Sequence, residues 1–142
     1  MANTLQVSIV SPYGSVFQGE ASRVQAPGAE GGLEVRCRHA PMIASMATGA
    51  VILSLPNSER LTYATSGGFI EVLGDVVTIL GETVEPASQI DLERAQAAEE
   101  RARARLKAAG SDVDRTRAER ALARARNRAR IGMGRVGKRL ST

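Results

Sequence analysis

The feature that most constrains this chain is a change of hydrophobic period near Pro86. Before it, apolar residues alternate with polar ones in short runs cut by Gly and Pro. After it, the sequence is nearly all Ala, Arg and Glu at helical spacing. "LQVSIV" places Leu5, Val7 and Ile9 on one face and Gln6 and Ser8 on the other. "SPYG" at Ser11–Gly14 reads as a turn, and "SVFQGEASRVQAP" as a second and third strand around Gly19. "GAVILSL" and "RLTYAT" are two strands joined by "PNSE". "GGFIEVL" and "VVTILGE" are two more, joined at Gly74-Asp75 by a tight hairpin with Gly at its first position. Roughly eight to ten short strands with turns this frequent predict an antiparallel sandwich or flattened barrel. No helix separates the strands, so parallel crossovers are not expected.

Beyond Pro86 the spacing predicts two helices. Leu92, Ala95, Ala102, Leu106 and Ala109 fall on one stripe from Asp91 onward, and Gly110 is expected to stop that helix. "SDVD" at Ser111–Asp114 reads as a capping box opening the second, whose stripe is Val113, Ala118, Ala121, Leu122, Ala125 and Ala129. The short link predicts an antiparallel helical hairpin. The glycine-rich end, "GMGRVGKRLST", is expected to fray. A buried alanine contributes about 0.8 kcal/mol against about 1.5–3 for a leucine. Such a hairpin is closed weakly and can open. The boundaries that follow are a sandwich over 1–87 and a helical domain over 88–142.

Charge divides at the same place. Residues 1–87 carry four basic and eight acidic side chains, and residues 88–142 carry fifteen basic and seven acidic. A helical half this basic calls for an acidic or polyanionic partner. On the first helix Arg94 and Arg101 share a face, and on the second Arg124 and Arg128 do. In a hairpin these faces can converge into a phosphate site of guanidinium forks. They can equally be solvated charges paired with Glu99, Glu100 and Glu119. Asp91 can cap its helix or accept from an adenine amino group or a ribose hydroxyl. Nucleic-acid binding is disfavoured, because acids intersperse both helices and aromatics make up only 3% of the chain.

Little in the chain suggests catalysis. The one histidine, His39, has no nucleophilic partner, and no phosphate-binding loop, nucleophile elbow or metal-ligand spacing is present. The single cysteine, Cys37, excludes an internal disulfide and suggests a reducing compartment. The first half contains no lysine, so it is no lipoyl or biotinyl carrier. No apolar run reaches membrane-span length, and the N-terminus has neither a secretory nor a transit pattern, so the chain is expected to stay where it is made.

Four segments together resemble the epsilon subunit family of the F-type ATP synthase: "VSPYGSVFQGEASRVQAPGAEGG", "HAPMI", "SGGFIEVLGDVVTILGETVE" and "IDLERAQAAEER". The resemblance implies a ten-stranded N-terminal β-sandwich and a C-terminal two-helix hairpin. It implies a non-catalytic central-stalk subunit, bound to gamma and resting on the ring of c subunits through a loop that here contains Glu30, Gly31 and His39. It also implies a position on the cytoplasmic face of the bacterial plasma membrane without insertion into it. The helical arm would reach the catalytic beta and alpha subunits and inhibit ATP hydrolysis, weakly here because Gly132–Gly137 makes a poor helix end. No cofactor is required. ATP is implied as a regulatory ligand, on positions that map to Glu85, Ile90, Asp91, Arg94, Ala95, Arg101, Arg124 and Arg128. The sequence departs from the family where Glu34-Val35-Arg36-Cys37-Arg38 stands in place of Gly-Val/Ile-Leu-Pro-Gly/Asn. That departure puts the loop's conformation and the ring contact in question. A stand-alone adenine-nucleotide sensor and a basic nucleic-acid-binding appendage are the alternatives.

Overall fold

Alternation in the first half produces strands whose inward residues are Val, Ile and Leu. A computed structural model describes residues 3–134. It shows ten strands: β1 (Leu5–Ser11), β2 (Gly14–Ala21), β3 (Arg23–Gly28), β4 (Gly31–Val35), β5 (Met42–Met46), β6 (Gly49–Ser54), β7 (Arg60–Thr65), β8 (Gly68–Leu73), β9 (Val76–Gly81) and β10 (Val84–Pro86). A short 3₁₀ turn at Ala87–Gln89 leads to α1 (Leu92–Ala108) and α2 (Asp112–Gly132). The chain divides after Pro86 into two compact units. The glycine-rich tail expected to fray lies, from residue 135 onward, outside the described residues. No helix among the described residues is long and apolar enough to cross a membrane.

In the first unit the strands hydrogen-bond in the order β10-β7-β6-β3-β5-β8-β9-β1-β2, with β4 added on β3. Leu5, Val7 and Ile9 of β1 pack with Val24 and Ala26 of β3, Val51 and Leu53 of β6, Ile70 and Val72 of β8, and Val77 and Ile79 of β9. All are buried, so the period-two pattern sets the register: a one-residue slip would turn each set outward. Tyr63 belongs to this core, its ring tilted 60° to that of Phe17 with centroids 6.5 Å apart. Burial pushes the Tyr63 phenol above its ordinary value.

Two expectations for the sheet are corrected. β1 and β9 pair in parallel, Gln6 opposite Val76 through Val10 opposite Leu80, while every other described pairing is antiparallel. No helical crossover is needed, because seven intervening strands carry the chain from one to the other. The second correction concerns Gly19, which does not separate β2 from β3. It pairs with Val7 inside the ladder, and the Phe17 ring lies over it, 3.2 Å from where a Cβ would stand. The break falls at Ser22 instead. The Gly74-Asp75 hairpin forms as expected, with Gly74 at φ 61. At Gly68 a Cβ would collide with the Leu80 carbonyl oxygen, so "GGFIEVL" needs its second glycine to start β8.

In the second unit α1 is capped by Asp91, whose carboxylate accepts from the Arg94 amide at 3.2 Å. Ser111 caps α2, its hydroxyl accepting from the Asp114 amide at 3.1 Å. Gly110 does not stop α1. Ala109 already turns extended, at φ −64 and ψ 122, because the chain must straighten into the Ser111 cap. The helices run antiparallel: Gly132, at the end of α2, lies against Ile90 and Leu92, where α1 begins. Ala95, Ala102, Ala118, Ala125, Ala129 and Ile131 are buried. Val113 is 67% exposed, contrary to its assignment to the stripe. It stands five residues before Ala118, roughly 140° off the buried line at about 100° per residue.

Candidate functional site

Strands β5, β8 and β9 carry apolar side chains on both faces. Ile70, Val72, Val77 and Ile79 point into the core, while Phe69, Leu73, Val76 and Leu80 alternate with them and face outward. Cross-strand register gathers the outward set. Phe69 sits opposite Leu80, Leu73 opposite Val76, and Ile43 of β5 opposite Glu71. Each of these five apolar residues is at least half exposed, from 51% at Val76 to 72% at Ile43. Across β9 the next strand supplies a polar edge, with Gln6 of β1 bonded to Glu20 of β2 at 3.1 Å. The outward Glu71–Thr78 pair lies between the two apolar pairs, so the face is apolar with a polar pair at its middle; this many exposed apolar side chains on one sheet face mark a protein-docking surface. These residues were not singled out from the sequence. The available signal was the run of apolar side chains at both parities in "GFIEVL" and "VVTIL", too apolar for a strand with one wet face.

Glu30 and Gly31 are exposed at the turn between β3 and β4, beside a concavity lined by Gly28–Leu33 and Ile43–Ser45. His39 does not join them. It lies past the far end of β4, in a turn where its amide donates to the Arg36 carbonyl at 3.2 Å. Five extended residues, roughly 16 Å, separate the two places. The altered loop around His39 is tied down by backbone hydrogen bonds. Arg38, standing where the family pattern has Gly or Asn, adopts φ 66, and its amide donates to the Asp75 carboxylate at 2.8 Å. Asp75 also accepts from the Gln6 amide through its carbonyl, so one turn residue ties this loop to β1. Cys37 packs half-buried against the core.

In the helical unit, Glu99 of α1 accepts from Arg103 at 2.8 Å and lies 3.6 Å from Arg126 of α2. This contact identifies one edge of the hairpin. Measured from the buried alanines at about 100° per residue, Arg94 and Arg101 fall roughly 100–120° to the opposite side of α1. Arg124 and Arg128 fall roughly 80–120° to the matching side of α2. The four arginines therefore share the edge away from Glu99. Arg94, Arg101 and Arg124 are exposed and Arg128 is half-buried. Other candidates have structural duties: Asp91 caps α1, Ala95 is fully buried, and Ile90 packs on Gly132. Glu85 lies on β10 of the first unit, opposite Ala64.

A sandwich with an uncovered apolar face, joined to a hairpin with a cationic edge, defines a protein built to dock on others. Comparison with known proteins makes this specific. Residues 4–87 match the family described as ATP synthase, Delta/Epsilon chain, beta-sandwich domain, and residues 88–131 match its long alpha-helix domain. The chain belongs to the ATP synthase delta/epsilon chain family. It is 50% identical to the ATP synthase epsilon chain of Salinibacter ruber over 149 residues, covering 99% of this chain and 100% of that one. It is 45% identical to the epsilon chain of Halalkalibacterium halodurans over 126 residues, covering 88% and 94%. Its fold is similar to a chain in the Euglena gracilis mitochondrial ATP synthase assembly of OSCP, F1 and c-ring. That match has a TM-score of 0.79 at 23% identity and covers 89% of this chain and 80% of the other. A chain of the Tetrahymena thermophila central stalk and c-ring gives 0.66 at 12% identity, covering 90% and 96%.

Proposed function

We propose that this chain is a non-catalytic rotor subunit of a proton-driven ATP synthase, peripheral to the cytoplasmic face of the plasma membrane. The sandwich docks on gamma through Ile43, Phe69, Leu73, Val76 and Leu80, and the Glu30–Gly31 turn meets the c-ring. The observation that carries the reading is the uncovered apolar face, which in water is stabilised by being covered. Such a face transmits torque by shape and burial and needs no catalytic group. The test is co-purification with gamma. Phe69→Glu with Leu80→Glu should abolish the complex while leaving the free subunit folded, since both side chains point away from the core. A stable complex with that variant would remove the docking assignment.

The cationic edge supports a second role for the hairpin. Within the helical unit, Arg94, Arg101, Arg124 and Arg128 would hold the phosphates of ATP, while Ile90, Asp91 and Ala95 shape the start of α1 beside them. Without nucleotide, the arm engages acidic segments of the catalytic beta and alpha subunits and restrains hydrolysis. ATP bound only to the closed hairpin would stabilise it by about 2.7 kcal/mol at a hundredfold excess over Kd. That is comparable to a few buried alanines, enough to move the equilibrium. Calorimetry on the full chain should show heat with ATP that is lost in Arg124→Ala/Arg128→Ala. No heat at millimolar ATP would end this part of the proposal. Truncation after Ala87 should raise hydrolysis in the reconstituted enzyme.

A further inference from the structure

At the end of the sandwich where β2 passes into β3 and β6 into β7, three arginines line one concavity of about 400 Å³: Arg23, Arg36 and Arg60. Ser22, Ser54 and Ser58 supply hydroxyls around it, and no carboxylate is among its described lining residues. Arg23 is held in place. One terminal nitrogen donates to the Ser54 hydroxyl at 3.4 Å, and the other lies 3.4 Å from Glu34. The second oxygen of Glu34 lies 3.3 Å from Nε of Arg36. A single carboxylate outside the lining thus orients two guanidinium groups, one per oxygen. Around the rim, the Ser22 hydroxyl donates to the Ser54 carbonyl at 3.0 Å. The 55–59 turn closes through the Ser58 amide to the Leu55 carbonyl at 3.0 Å, with Ser58 at φ 73.

We infer that this concavity binds a phosphate group. Three guanidinium groups and three serines around one concavity, with no carboxylate in its described lining, suit a tetrahedral oxyanion that accepts several hydrogen bonds at once. The Arg36–Glu34 contact is between exposed side chains, so it is weak enough for Arg36 to turn to a ligand while Arg23 stays fixed. The site is assembled from the start of β3, the 55–59 turn with the strand ends that flank it, and the residue that follows β4. It shares no residue with the apolar docking face or with the arginine edge of the hairpin. Its test is therefore independent of the function proposed above.

The experiment uses the full chain, labelled for amide and arginine Nε resonances, at constant ionic strength set with chloride. Inorganic phosphate, glycerol 3-phosphate, and phosphatidylcholine vesicles containing phosphatidic acid are added separately. The two soluble ligands separate free phosphate from a phosphomonoester, and the vesicles report a lipid headgroup. At least one should give saturable shifts at Arg23, Arg36, Arg60 and Ser58. Arg36→Ala should weaken that binding about tenfold, the loss expected for one charge-assisted contact. Arg36→Lys, which keeps the charge and loses the fork, should fall between. Shifts that stay linear for all three additions, or binding unchanged in both variants, would overturn the site.

Discussion

The weakness of the hairpin seam can be measured one methyl at a time. Ala118 is 4% exposed, whereas Ala123, one and a half turns along the same helix, is exposed. Ala118→Gly removes a buried methyl, about 0.8 kcal/mol. It also costs about 0.9 kcal/mol of helix propensity. Ala123→Gly costs only the propensity. In the full chain, amide exchange from α1 and α2 should therefore accelerate about fifteen-fold for Ala118→Gly and about five-fold for Ala123→Gly. Ala102→Gly should match Ala118→Gly, because Ala102 is equally buried on the facing helix. The double variant should approach about 300-fold, with β1 and β9 unchanged because neither methyl belongs to their core. Equal acceleration by Ala118→Gly and Ala123→Gly would show that seam methyls do not hold the hairpin. The weakly latched arm would then have no physical basis.

Three further outcomes follow from particular contacts. Arg38→Gly relieves a left-handed arginine and keeps the amide bonded to Asp75, so it should raise sandwich stability by about 1 kcal/mol in denaturant titration. Loss of stability in that variant would mean the Arg38 side chain itself holds the loop. The Tyr63 phenol is raised above 10.0 by burial, so the unfolded chain ionises first as pH climbs. Stability should be full below pH 10 and fall as pH rises through the folded-state value; Tyr63→Phe should flatten that fall, as thermal melts at alkaline pH would show. Glu99→Gln removes the charge shared by Arg103 and Arg126, and should destabilise the helical unit by about 0.5–1 kcal/mol at low salt and less at high salt.

The change of period at Pro86 alone determines that strands are followed by helices, because 2.0 and 3.6 are the only repeats that put apolar side chains on one side of a regular backbone. Local sequence likewise determines the caps at Asp91 and Ser111, the Gly74 hairpin, and the side of each helix on which Arg94, Arg101, Arg124 and Arg128 stand, since all of these depend on neighbours a few residues away. What the sequence alone misassigned depends on partners distant in the chain. Gly19 resembles a break until Phe17 is seen covering it. β1 and β9 pair in parallel only because the intervening strands bring them together. How far His39 stands from Glu30 and Gly31 is likewise visible only once β4 lies between them. The uncovered face of Ile43, Phe69, Leu73, Val76 and Leu80 is a property of register between three strands, and so is the grouping of Arg23, Arg36 and Arg60. Periodicity tells which residues share a side of their own element. Only closure of the sheet decides which sides are covered and which charges become neighbours.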